Sequence, residues 1–103
     1  MGKSKLVRDK IPEMFNFANI RVANDEEYRR FLLEKLQEEV DEFKQDLNIE
    51  ELADILEVVH AISKHKGTSI RDLEELRIKK AEIRGSFDKR IIWEGNERIT
   101  NTR

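Results

Sequence analysis

Two acidic motifs in the middle of the chain have the residue types and the spacing of a cation site. The first is Glu38-Glu39-x-x-Glu42 and the second is Glu51-x-x-Asp54. Both stand among apolar residues, and a carboxylate is costly to bury unless positive charge meets it. These five side chains therefore either face water on a solvated helix surface or converge on a cation.

The donor atoms determine which cation such a site would bind. Carboxylate oxygens prefer hard divalent ions, here Mg²⁺ with Mn²⁺ as a second choice, and Mg²⁺ keeps positions for water and for substrate phosphates. The chain has no cysteine, which excludes disulfides and thiolate zinc sites and favours a reducing, cytoplasmic setting. His60 and His65 are not at ligand spacing with the acids and are interpreted as surface or helix-end residues.

Charge is distributed unevenly, although the formal net charge is only −2. Residues 25–57 hold thirteen acidic and four basic side chains, whereas residues 76–90 hold six basic and two acidic ones. A nucleic-acid-binding protein shows a basic face, and a membrane span needs ~20 apolar residues in a row. We therefore expect neither a nucleic-acid nor a membrane partner.

The basic segment carries a possible complement to the acids. Lys80 and Arg84 are one helical turn apart on one face, and Gly85 follows Arg84. Lysine and arginine beside a metal site would take the phosphate oxygens that the metal leaves free. The alternative is an ordinary basic last turn that complements a helix dipole.

Three capping signals divide the middle of the chain into the helices that must position these groups. They predict helices over about 24–46, 48–66 and 69–83. The cap residues and their reciprocal acids are Asn24 with Glu27, Asn48 with Glu51, and Ser69 with Asp72. A loop of about two residues between the first two helices predicts an antiparallel hairpin with both acidic motifs at similar heights.

The second of these helices is apolar on more than one face, which indicates more than one packing neighbour. We therefore expect an all-α fold in which the hairpin and the third helix complete a four-helix-bundle-like core with a partner subunit. We expect one domain over residues 1–103, with a flexible tail at 94–103. Residues 11–18 predict a short helix, while 20–23 and 90–93 predict either a small β clip or extended arms.

The motifs resemble those of the MazG-type all-α nucleoside triphosphate pyrophosphohydrolases. After the two acidic motifs, that family carries a basic segment ending in Arg-Gly-Gly-Phe, which here is Arg84-Gly85-Ser86-Phe87 with serine in place of the second glycine. The opening KLVRDKIPE, residues 5–13, resembles a subgroup of short stand-alone members described as predicted house-cleaning enzymes. The similarity covers about residues 5–92.

The resemblance implies Mg²⁺-dependent cleavage of a nucleoside triphosphate to the monophosphate and pyrophosphate, in a homodimer or homotetramer. Glu38, Glu39 and Glu42 would be catalytic, with Glu38 either binding a further metal or orienting the attacking water as a base. The metal ligands that it implies are Glu39, Glu42, Glu51 and Asp54. The phosphate-binding residues that it implies are Lys80 and Arg84, with Arg8 and Lys10 either capping the site or docking a subunit interface.

Other functions stay open at this point. Within the same superfamily the substrate could be phosphoribosyl-ATP of histidine biosynthesis, dUTP or dCTP. From another class, the chain could be a non-catalytic helical adaptor whose acidic face binds a basic partner. The preferred base is not evident, since Phe15, Phe17, Tyr28 and Trp93 could each belong to a core.

Overall fold

The computed structural model describes residues 4–95, which form four helices. These are α1 (Ile11–Met14), α2 (Asp25–Asp46), α3 (Ile49–His65) and α4 (Ile70–Arg84). Residues 4–95 contain no strand, so the predicted all-α class is confirmed and the segments at 20–23 and 90–93 form no β clip. Most of the predicted tail, residues 96–103, lies outside the described residues.

The predicted caps begin the long helices. The Asn24 side chain accepts a hydrogen bond from the Glu27 backbone N–H at 2.9 Å, and the Glu27 carboxylate accepts one from the Asn24 N–H at 3.3 Å. Ser69 caps α4 in the same way, since its hydroxyl accepts from the Asp72 N–H at 3.0 Å. These bonds satisfy N–H groups that a helix start otherwise leaves without partners.

The α2–α3 hairpin turns through Leu47 and Asn48, which is the predicted two-residue loop. Leu47 takes a left-handed conformation with φ of 54°, and the Asn48 side chain accepts from the Glu50 N–H at 3.0 Å. Asn48 therefore caps α3 without the reciprocal glutamate that the sequence predicted. The Glu51 carboxyl lies instead beside the acids near the turn.

The described chain has a small core. Leu32 on α2 and Val58 on α3 are its buried apolar residues, 2% and 8% exposed. Within residues 4–95, α2 packs against α3 and α4 packs against α3 alone. None of the described helices is both long and apolar enough to span a membrane.

Much apolar surface stays uncovered along α3, α4 and the segment after α4. The described chain is elongated, 62 × 31 × 23 Å, and its outer helix α4 packs on α3 without covering α2. The large apolar side chains exposed on these segments include Leu52, Leu56, Leu76, Ile78, Ile83, Phe87, Ile91 and Ile92.

Candidate functional site

The first acidic motif places one carboxylate in the interior. Glu39 is only 7% exposed, and its Oε2 lies 3.2 Å from the Lys35 ammonium one turn earlier on α2. Glu38 is half-buried beside it and Glu42 is exposed. The negative charge of Glu39, then burial, then the charge of Glu38 raise the pKa of Glu42 above its usual range.

The second motif faces the first across the hairpin. Burial raises the pKa of Glu51, and the neighbouring carboxyl groups of Asp46, Glu42 and Asp54 raise it further. Groups influence one another in this way only when they are close, because the interaction between charges falls with distance and is screened by water. Glu51 therefore lies near Glu42 and Asp46 at the hairpin turn.

The N-terminal arm, residues 4–10, folds back onto these acids. The Arg8 Nη2 lies 2.7 Å from the Asp54 Oδ1, and the Lys5 Nζ lies 3.2 Å from the Glu38 Oε2. Burial alone would raise the pKa of Glu38, but the hydrogen bond from Lys5 and the charges of Lys35 and Lys5 lower it below its usual range. Lys5 and Arg8 of the arm thus neutralise part of the negative charge of the two acidic motifs.

A cleft of about 720 Å³ lies between the arm and the hairpin, a size typical of small-molecule sites. Glu39 and Asp54 line it together with basic groups of the arm and of α2. The basic side chains that line it near these acids are Arg8, Lys10 and Lys35. A ligand that carries both phosphates and a divalent cation would meet charges of both signs there.

Two carboxylate oxygens lack the partner that their burial calls for. The Glu39 Oε1 and the Glu51 Oε1 are buried and have no hydrogen-bond partner in the part of the chain that the structure describes. Across residues 4–95, no three acidic or histidine side chains converge tightly enough to hold a metal ion as they stand. The paired acids Glu38, Glu39 and Asp54 are turned toward lysine and arginine, while the two orphaned oxygens supply the hard donors that Mg²⁺ prefers.

The two predicted phosphate-binding residues of α4 lie apart from this cleft. Lys80 and Arg84 are exposed and do not line it. The backbone after Arg84 has the positive φ of 86° at Gly85, where glycine is favoured. Ser86 has no positive φ, so serine fits the position where the family usually has a second glycine.

The structure adds residues that the sequence did not single out. Tyr28 and His65 line the far end of the cleft, and their rings meet edge to face with centroids 5.2 Å apart. His65 also lies 2.9 Å from the Asp25 carboxylate through Nε2. A signal was available, because Tyr28, Leu32, Lys35 and Glu39 follow one another at the four- and three-residue spacing of one helix face.

Comparison with protein-family models, curated proteins and solved structures found no match for this chain.

Proposed function

We propose that this protein is an Mg²⁺-dependent pyrophosphohydrolase that cleaves a nucleoside triphosphate, standard or non-canonical, to the monophosphate and pyrophosphate. The observation that carries the proposal is two orphaned buried oxygens on facing helices. One belongs to Glu39, which lines the cleft, and the other belongs to Glu51, near the hairpin turn. A buried charged oxygen without a partner is destabilising, and a bound cation would relieve it. The resemblance to MazG-type enzymes supports the same activity.

The oxygen donors fit Mg²⁺, with Mn²⁺ as the alternative. Glu39, Glu42, Glu51 and Asp54 would hold the ion, which requires Asp54 to turn from Arg8 and Glu39 to turn from Lys35. When bound, it supplies positive charge to the phosphate oxygens and lowers the pKa of water that attacks phosphorus.

The chain's own side chains then have separate tasks. Glu38 would accept the proton of the attacking water. Lys5 and Lys35 keep it ionised but also make it a weaker base, and it lines a smaller pocket next to the cleft together with Glu42. The water oxygen bonds to the α-phosphorus while the bond to the bridging oxygen breaks, and pyrophosphate leaves with that electron pair. Arg8 and Lys10 face the cleft and would meet the charge on the leaving group.

A second copy of the chain completes the proposed enzyme. The apolar side chains exposed on α3 and α4, such as Leu56 and Leu76 at 54% each, form an unpartnered surface of the kind that is buried in obligate assemblies. A homodimer or homotetramer that covers this surface would also let Lys80 and Arg84 approach the carboxylates of a neighbouring copy. A cytoplasmic location belongs to the same proposal.

The decisive assay measures pyrophosphate release with Mg²⁺ or Mn²⁺ from standard and modified nucleoside triphosphates and from phosphoribosyl-ATP. We expect activity with at least one triphosphate, and the Glu42→Gln and Asp54→Asn variants should lose it while circular dichroism shows intact helices. Glu75→Gln, on the exposed face of α4, is the matched control and should retain activity. A wild-type chain that releases no pyrophosphate from any substrate would favour the non-catalytic adaptor.

A further inference from the structure

The cleft between the arm and the hairpin has two chemically different ends. Its walls are one face of α2, residues 28–39, and one face of α3, residues 54–65. At the end near the hairpin turn the walls present the carboxylates of Glu39 and Asp54. At the other end they present the rings of Tyr28 and His65, which contact each other.

The length of the cleft follows from helix geometry. Glu39 and Tyr28 are eleven positions apart on α2, and a rise of 1.5 Å per residue separates them by about 16 Å. That is about the reach of an extended nucleotide from its phosphates to the far edge of its base. Leu32, Val58 and Ala61 line the stretch between the two ends and give it an apolar floor. Charged side chains line the same stretch, and these are Lys35, Glu57 and Lys64.

Several contacts hold the aromatic end in place. The His65 Nε2 lies 2.9 Å from the Asp25 carboxylate, and the His65 ring meets the Tyr28 ring edge to face. Ile11 and Met14 of the arm line the cleft as well. A planar heterocycle would find an aromatic ring to stack on and apolar side chains around it, as bases do in sequence-tolerant nucleic-acid sites.

We infer that the Tyr28–His65 end of this cleft binds the nucleobase of the substrate, with the triphosphate running along α2 toward Glu39. This inference rests on the proposed function and deepens it, because it assigns the part of the chain that senses the base. Tyr28 provides the stacking surface and His65, on the opposite wall, fixes the orientation of the base.

The test compares ligands that share the phosphates and differ in the base. Isothermal titration calorimetry with Mg²⁺ measures binding of the α,β-methylene analogues of ATP, GTP, CTP and UTP, and of inorganic tripolyphosphate, to the full chain. Tyr28→Ala should weaken the best analogue roughly ten- to a hundredfold, the range expected for a lost stacking platform, and leave tripolyphosphate binding unchanged. Tyr28→Phe should bind like wild type, and Phe17→Ala, an aromatic control outside the cleft, should too.

His65→Ala repeats the test from the other wall and should show the same selective loss if Tyr28→Ala does not fold. Three results would overturn the base site. These variants could weaken binding of the analogue and of tripolyphosphate equally, they could weaken neither, or they could change the oligomeric mass. In those cases the proposed function would still stand, provided that the wild-type chain binds one of the analogues. A wild-type chain that binds no analogue at all would overturn both.

Discussion

Replacing Arg8 by alanine should strengthen divalent-cation binding and weaken nucleotide turnover. The Arg8 guanidinium lies 2.7 Å from the Asp54 carboxylate, so in the absence of substrate it competes with a cation for this ligand. With substrate bound, the same guanidinium is free to meet phosphate oxygens from its place in the cleft wall. Removing Arg8 should therefore raise the affinity for the cation and lower the rate of nucleotide turnover.

The structure limits both magnitudes. The side chains of Arg8 and Asp54 are 56% and 39% exposed, and an ion pair in such a setting contributes only ~0.2–1 kcal/mol. The gain in Mn²⁺ affinity on removing Arg8 should accordingly be no more than about fivefold. A lost charge-assisted hydrogen bond to phosphate is worth ~1.5–3 kcal/mol, so kcat/KM should fall by roughly ten- to a hundredfold.

Calorimetric titration of the nucleotide-free chain with MnCl₂ measures the first effect, and pyrophosphate release measures the second. Arg71→Ala is the matched control, because Arg71 forms an exposed ion pair with Glu75 at 3.6 Å on α4. Arg8→Lys should restore most of the turnover. If Arg8→Ala weakened Mn²⁺ binding as Asp54→Asn should, Arg8 would be supporting the carboxylate and the competition argument would be wrong.

Three further predictions concern assembly and stability. Leu76→Glu should lower the mass measured by sedimentation velocity to that of one chain, whereas an unchanged mass would place the interface elsewhere. The hydrogen bond from Arg21, followed by that from the Asn24 backbone N–H, lowers the pKa of Glu27 to about 2. The contribution of Arg21 therefore stabilises the chain fully above the ordinary carboxyl pKa of 4.5 and progressively less as pH falls toward 2. Thermal melts should therefore show Arg21→Ala less stable than wild type at neutral pH, with the difference disappearing in acid; a pH-independent difference would contradict this. Leu47→Gly should raise the free energy of unfolding in urea by about 0.5–1 kcal/mol, since glycine takes positive φ without strain; a decrease would show that the exposed Leu47 is buried by another copy.

The helices could be predicted because their ends are set by local chemistry. Asn24, Asn48 and Ser69 each accept a hydrogen bond from the first turn that follows, and such bonds involve residues two or three positions apart. The runs at 20–23 and 90–93 show the opposite case. Their apolar residues favour strands, but a strand needs a hydrogen-bonding partner, and the described chain offers none.

The proximity of the acids at the turn was also predictable, whereas their ion pairs with the arm were not, and the resemblance gave Arg8 only as one that either caps the site or docks a subunit interface. A two-residue loop fixes two helices side by side, so Glu42 and Glu51 had to lie near each other. The contacts of Arg8 with Asp54 and of Lys5 with Glu38 join residues 46 and 33 positions apart. They depend on the direction in which the arm leaves α1, for which the sequence carries no local signal.

Two features of the isolated chain are energetically unfavourable, and they identify different binding partners. The buried oxygens of Glu39 and Glu51 have no hydrogen-bond partner among the described residues, which is destabilising, and a bound cation would relieve it. Exposed apolar side chains on α3 and α4 forgo the hydrophobic stabilisation of ~25 cal/mol per Å² that burial against a second copy would provide. Anything that binds the folded state alone stabilises it in proportion to the logarithm of its own concentration. The melting temperature should therefore rise with Mg²⁺ at fixed protein concentration and, independently, with protein at fixed Mg²⁺. No response to Mg²⁺ would refute the cation site, and no response to protein concentration would refute the burial of the apolar side chains by a second copy.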